Sequence, residues 1–181
     1  MYKTGEQMAD ISKEIEEAQN LMIAGDFPGA VKRLTKIIKS NPTATEAYFL
    51  KAEAAIGDSS ISVDEVIACY KKAVELDSKN PMYWSSYAVY LMDRGKFDEA
   101  ENAYNKAADN DPENARYYYS EFGVEYAIRG PESMRGFIEG KELDDKMKEV
   151  IQKKEDMIKK KALQYLLKSI DLSESGAKKL L

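Results

Sequence analysis

Cys69 is the chain's one thiol, and its 181 residues include no histidine. A cysteine nucleophile needs a neighbouring group to draw off its proton, and that group is most often an imidazole. Without histidine, Ser-His-Asp and Cys-His triads, haem on a proximal histidine and zinc held by imidazole are excluded. One cysteine also excludes an internal disulfide and a four-thiolate zinc site. The carboxylate pairs Glu16-Glu17, Asp144-Asp145 and Glu155-Asp156 remain. Adjacent residues diverge around a helix of 3.6 residues per turn, so these pairs read as solvated faces, not convergent acid–base sites. Gly136-x3-Gly140-Lys141 has a partial phosphate-loop spacing. It is one residue short, lacks the Ser/Thr after the lysine and follows no strand, so a flexible connector is the better reading. The expectation is a non-enzyme with no cofactor and no metal, in which Cys69 is a small packed residue.

Recognition by surface is then the remaining chemistry. Tyr117-Tyr118-Tyr119 places one aromatic in a core and leaves two aimed elsewhere, and a partly exposed tyrosine suits an interface. Residues 1–130 carry 15 Lys+Arg and 22 Asp+Glu, a net charge of −7, whereas residues 131–181 are net +2. An acidic body does not suit nucleic acid, whose phosphates need a basic face. No apolar run approaches the roughly 18–20 residues of a membrane span. The start, Met1-Tyr-Lys-Thr-Gly-Glu, lacks the apolar core of a signal peptide. A cytoplasmic protein, binding neither membrane nor nucleic acid, is expected.

The elements that would present such a surface repeat along the chain. Trp84, Tyr87, Ala88, Leu91, Gly95, Phe97, Ala100, Tyr104, Ala107 and Pro112 form one unit. Tyr48 and Ala52 stand 36 residues before Trp84 and Ala88, and Tyr70 and Ala73 stand 34 before Tyr104 and Ala107. Gly25-Asp26-Phe27 precedes Gly95-Lys96-Phe97 by 70, and Ala30 and Pro42 precede Ala100 and Pro112 by the same step. Tyr118 and Phe122 follow Trp84 and Ala88 by 34. This pattern resembles the tetratricopeptide repeat family, whose 34-residue unit is a helix–turn–helix. The resemblance covers about residues 11–130.

It implies an all-α fold, a right-handed α-α superhelix of helix–turn–helix units forming a single domain. The units fall at about 11–44, 45–80, 81–114 and 115–172, the fourth interrupted by an insertion at 131–160. Small residues such as Ala18, Ala52 and Ala88 let antiparallel helices approach, and large ones such as Tyr48, Trp84, Tyr70 and Tyr104 fill the space between units. Gly25 and Gly95 suit a left-handed helix end. Gly130–Gly140, with three glycines and a proline, reads as a loop. From about Lys141 an apolar stripe (Leu143, Met147, Val150, Ile151, Met157, Ile158, Ala162, Leu166) predicts a helix to about residue 172.

The family resemblance implies a scaffold that binds a partner's peptide or helix along the concave face of its first helices. By the 34-residue register that groove would be lined by Phe49, Glu53, Met82, Val89, Met92, Arg116, Tyr119 and Tyr126. The lysine, asparagine and arginine clamp of arrays that hold chaperone C-terminal tails is not present; of the matching places only Arg116 has the right charge. Two alternatives centre on the 141–160 helix. It could pair with a second copy to give a homodimer, or lie across the groove and block it.

Overall fold

The computed structural model describes residues 5–177, which contain nine α-helices, one 3-10 turn and no strand. They form two compact units, one ending at Lys79 and the other beginning at Asn80. The first holds α1 (Gly5–Ile23), α2 (Phe27–Ser40), α3 (Thr45–Ile56) and α4 (Val63–Leu76). The second holds α5 (Pro81–Asp93), α6 (Phe97–Asn110), a 3-10 turn (Pro112–Asn114), α7 (Ala115–Ile138), α8 (Asp145–Ser169) and the short α9 (Glu174–Ala177). Within each unit, successive helices pack on one another.

Local chemistry sets the helix ends. Gly25 (φ 79°) and Gly95 (φ 68°) take the left-handed conformation expected at the turns. No atom lies within 4 Å of a Cβ built at either, so backbone angle and not room requires glycine there. Asp26 caps α2 by accepting from the Gly29 N–H at 2.9 Å. Ser62 caps α4 through the Glu65 N–H at 3.2 Å, and Asn80 caps α5 through the Met82 N–H at 3.1 Å. Asp64-Glu65 and Asp98-Glu99 put acids in the first turns of α4 and α6, where the helix dipole favours them.

The hairpins close on small residues. Ala18, Ala30, Ala52, Ala88, Ala100 and Ala107 are all fully buried. Tyr70, Tyr104 and Phe122 fill the larger gaps. Cys69 is buried, and burial raises its pKa, so the thiol stays protonated and inert. The Tyr104 hydroxyl is buried without a hydrogen-bond partner, and burial, with the nearby Glu121 carboxylate, pushes its pKa far up.

Gly130–Gly140 is not a loop. Helix α7 continues through Pro131 to Ile138, and the reversal falls at 139–144, where Gly140 has φ 73°. The proline removes one helical donor. Pairing with α8 outweighs that local preference, because the glycines are what allow the pairing. A Cβ at Gly123 would stand 3.0 Å from Leu166 Cγ and 3.1 Å from the Ala162 carbonyl oxygen; one at Gly130 would stand 2.8 Å from Ile158 Cγ2. The predicted last helix begins at Asp145, not Lys141, capped by Asp144 on the Met147 N–H at 2.7 Å. The residues expected as an insertion at 131–160 thus lie in the end of α7, the following turn and the first part of α8, the two arms of one hairpin.

Gly123→Val is expected to cost about 1–3 kcal/mol, since the Ala162 backbone cannot yield as a side chain could. Gly136→Ala, where a Cβ meets nothing within 4 Å, should stabilise the helix by up to about 1 kcal/mol. Chemical denaturation of the two variants checks both signs. Tyr104→Phe removes an unpartnered hydroxyl and is expected to leave stability unchanged or raise it by about 1 kcal/mol.

Candidate functional site

In the second unit, exposed and buried positions of α7 reproduce those of α5 at a spacing of 35, not 34. Tyr117, Val124 and Ile128 are exposed where Met82, Val89 and Asp93 are exposed; Tyr118, Phe122 and Gly123 are buried where Tyr83, Tyr87 and Ala88 are buried. Helix α5 starts from an extended cap at Asn80 (ψ 108°), whereas α7 is entered through the 3-10 turn. A 3-10 turn advances the chain by three residues per turn instead of 3.6, which rotates the following helix. Tyr119, Gly123 and Tyr126 therefore stand where Trp84, Ala88 and Leu91 stand in α5.

The rotation determines which side chains remain free. Met82 and Val89 on α5, with Tyr117, Val124 and Ile128 on the neighbouring α7, are each 41–60% exposed. Acidic groups accompany them. Glu121 is half-buried, its pKa raised by that burial and partly restored by a hydrogen bond from Tyr117. Arg129 links the two helices, pairing with Asp93 of α5 at 2.9 Å and with Glu125 of its own helix. Against Glu121, Glu125 and Asp93 it is one cation, so the face carries an acidic excess. Helix α8 lies on the other side of α7 and does not cover this face. Its Lys161 reaches Glu101 of α6 at 2.7 Å, and its Tyr165 hydroxyl donates to Glu101 at 2.9 Å while accepting from Asn105 at 2.7 Å. The blocked-groove arrangement, as it concerns α5 and α7, is therefore not the one found.

Of the residues expected to line a groove, Met82 and Val89 are on this face. Met92 is 3% exposed and belongs to the core. Tyr119 packs edge-on to Tyr165 with Lys168 Nζ 3.7 Å from its ring centroid, and Tyr126 stacks on Phe122 at 5.3 Å. Both face α8, because the true register is one residue later. Arg116 pairs with Asp171 at the end of the same hairpin. In the first unit, Phe49 is 8% exposed against Tyr70, whose hydroxyl donates to Glu53. The 34-residue register leaves Tyr117, Glu121, Val124 and Ile128 out of the groove lining, although Tyr117 reads in the sequence as a partly exposed tyrosine suited to an interface. The available signal was the 35-residue step Trp84→Tyr119, Ala88→Gly123 and Leu91→Tyr126.

Among the described residues no group of Cys, Asp and Glu side chains could hold a metal, and no helix is long and apolar enough to cross a membrane. Hairpins closed on alanines, with an apolar face left on the first helices, define an α-helical repeat protein. Two tetratricopeptide repeat family models match residues 15–81 and 81–114. The small glutamine-rich tetratricopeptide repeat-containing protein 2 of Mycosarcoma maydis is 30% identical over 112 residues, 60% of this chain and 30% of that protein. The chain thus spans less than a third of that relative. Among solved structures, MamA superposes with a TM-score of 0.64 at 18% identity, covering 93% of this chain and 81% of MamA. The 41-end form of MamA from Desulfovibrio magneticus RS-1 gives 0.61 at 16% identity, covering 91% and 76%. A mutant O-GlcNAc transferase of Thermobaculum terrenum gives 0.58 at 17% identity, covering 74% and 27%. At such identities the likeness is one of fold. The chain belongs to the tetratricopeptide repeat family, whose members are generally non-catalytic protein-interaction scaffolds.

Met92→Ala should cost about 2–4 kcal/mol by opening a core cavity, whereas Val89→Ala on the open face should change stability by less than about 0.5 kcal/mol. Thermal unfolding distinguishes them. Burial, with Glu99 beside Tyr87 and the Asp111 hydrogen bond on Tyr118, raises both phenol pKa values to about 12. A raised pKa in the folded state means that the associated stability is complete below the unfolded value near 10 and is lost as pH rises towards 12. Unfolding followed across that alkaline window should show this loss, and Tyr87→Phe should reduce it.

Proposed function

We propose that the chain is a protein-binding scaffold whose docking surface in the second unit is the α5–α7 face. The observation that supports this most directly is the alignment of five exposed apolar side chains on two adjacent first helices, uncovered by α8. Met82, Val89, Tyr117, Val124 and Ile128 supply contact area. Methionine adapts to varied shapes, and tyrosine gives a rigid apolar body with a polar edge. The acidic excess around Glu121 favours a partner segment that carries a basic residue among apolar ones. Its charge sets orientation and rate more than affinity.

Crosslinking capture with wild-type protein and with a Val89→Glu/Ile128→Glu double variant tests the surface. Loss of the captured partner, with helicity and melting temperature unchanged, is expected. Recovery of the same partner by the variant would rule out this face. Because burial raises the Glu121 pKa, capture should weaken as pH falls, at a higher pH than an ordinary carboxylate would give. Glu121→Gln should flatten that dependence.

A further inference from the structure

The first half of α8, at the tip of the hairpin, turns a stripe of its own to solvent. Met147, Val150 and Met157 are 50–70% exposed, and Lys154, between the last two, is exposed as well. At 3.6 residues per turn these side chains fall within about 80° of one another, on one line along the helix. Met147, Val150 and Lys154 also border a cleft between α7 and α8, to which Met134 and Ile138 contribute. Lys154 makes no ion pair among the described residues. The acids of this stretch are engaged or turned aside. Asp144 caps α8, Asp145 pairs with Lys148 at 3.2 Å, Glu149 pairs with Lys153 at 2.7 Å, and Asp156 accepts from Gln152 at 3.0 Å. Glu155 is half-buried and stands about 100° round the helix from Lys154.

The open face of α7 carries the complementary order. It reads Tyr117, Glu121, Val124, Ile128 along the chain; the α8 stripe, taken from its C-terminal end, reads Met157, Lys154, Val150, Met147. Laid antiparallel, Tyr117 meets Met157, Glu121 meets Lys154, Val124 meets Val150 and Ile128 meets Met147. The two lines rise about 16.5 and 15 Å at 1.5 Å per residue, so they stay in step along the whole contact. Glu121 is the acid left without a cation, because Arg129 pairs with Asp93 and Glu125. Laid parallel, Glu121 would meet Val150, and Lys154 would meet Val124. Two α8 stripes laid on each other would set Lys154 against an apolar residue or a second Lys154, with no acid in the stripe to receive it. We propose that the partner of the α5–α7 face is a second copy of this chain, whose α8 stripe lies antiparallel on α7. This rests on the reading of that face as a docking surface. The contact is heterologous. Each copy offers one face and one tip, so addition continues head to tail until a ring closes or a chain extends. The net charges agree in sign, −7 over residues 1–130 against +2 over residues 131–181.

Sedimentation of the full chain over a range of concentrations tests this. The wild-type mass should rise with concentration beyond that of a dimer. Val150→Asp on the tip and Val89→Glu/Ile128→Glu on the face should each stay monomeric, with melting temperature unchanged. Mixed, these two variants have one intact tip and one intact face between them, and they should form a one-to-one dimer and nothing larger. Glu121→Lys and Lys154→Glu should each weaken association about tenfold, and the two together in one chain should restore it. A wild-type chain that is monomeric at about 1 mM overturns the proposal. If a captured partner is still lost by the face variant, the docking surface itself stands; if it is not, both readings fall. Self-association lost in Val150→Asp but kept in the face variant would put the contact between tips and overturn the proposal as well. So would a charge-reversed double variant that associates no better than either single one.

Discussion

Everything distinctive in the second unit depends on how closely α7 and α8 approach. At Gly123 the backbone carbonyl of Ala162 occupies the space a side chain would need, and at Gly130 Ile158 does the same. Two hydrogen atoms in place of two methyl groups let 24- and 25-residue helices lie together along most of their length. Dispersion and apolar burial accumulate along such a seam, although each contact is small. The same glycines weaken helix formation locally, by up to about 1 kcal/mol each relative to alanine. Tertiary packing therefore more than offsets a local preference for a break.

That approach is reinforced by polar contacts that fix α8 sideways on α6. Lys161 and Tyr165 converge on Glu101, with Asn105 completing the set, while Phe122 packs against Tyr165 at 4.5 Å between centroids. These groups are half-buried, so their value lies more in orientation than in net stability. They hold α8 against α6 and the Gly123 side of α7. Consequently the opposite side of α7 stays open, continuous with the open side of α5.

The open face and the tip cleft differ in charge as well as in place. Glu121, Glu125 and Asp93 accompany the first with one arginine, whereas Lys141, Lys146 and Lys154 line the second together with Asp144. A single hairpin thereby offers two surfaces of unlike chemistry. The arm nearest the 3-10 turn carries the exposed side chains of Tyr117, Val124 and Ile128, and Met134, Ile138 and Val150 line a cleft at the far end.

Much of this was legible in the chain itself. Alanines at fixed spacing, glycines at turns, prolines after second helices and acids in first turns act over a few residues, so their meaning survives without coordinates. They determined the helical hairpins and the family. The absence of histidine determined that histidine-based catalysis and ligation are excluded. What lay beyond the sequence was rotation and length. A 3-10 turn in place of an extended cap turns α7 by about one residue, and this moved Tyr119 and Tyr126 to the α8 side and Tyr117, Val124 and Ile128 to the open one. Glycines read locally as loop formers turned out to be the seam of a helix pair. Both outcomes were decided by tertiary structure because the favourable energy comes from α8, whose contacts with α7 and α6 lie tens of residues away along the chain.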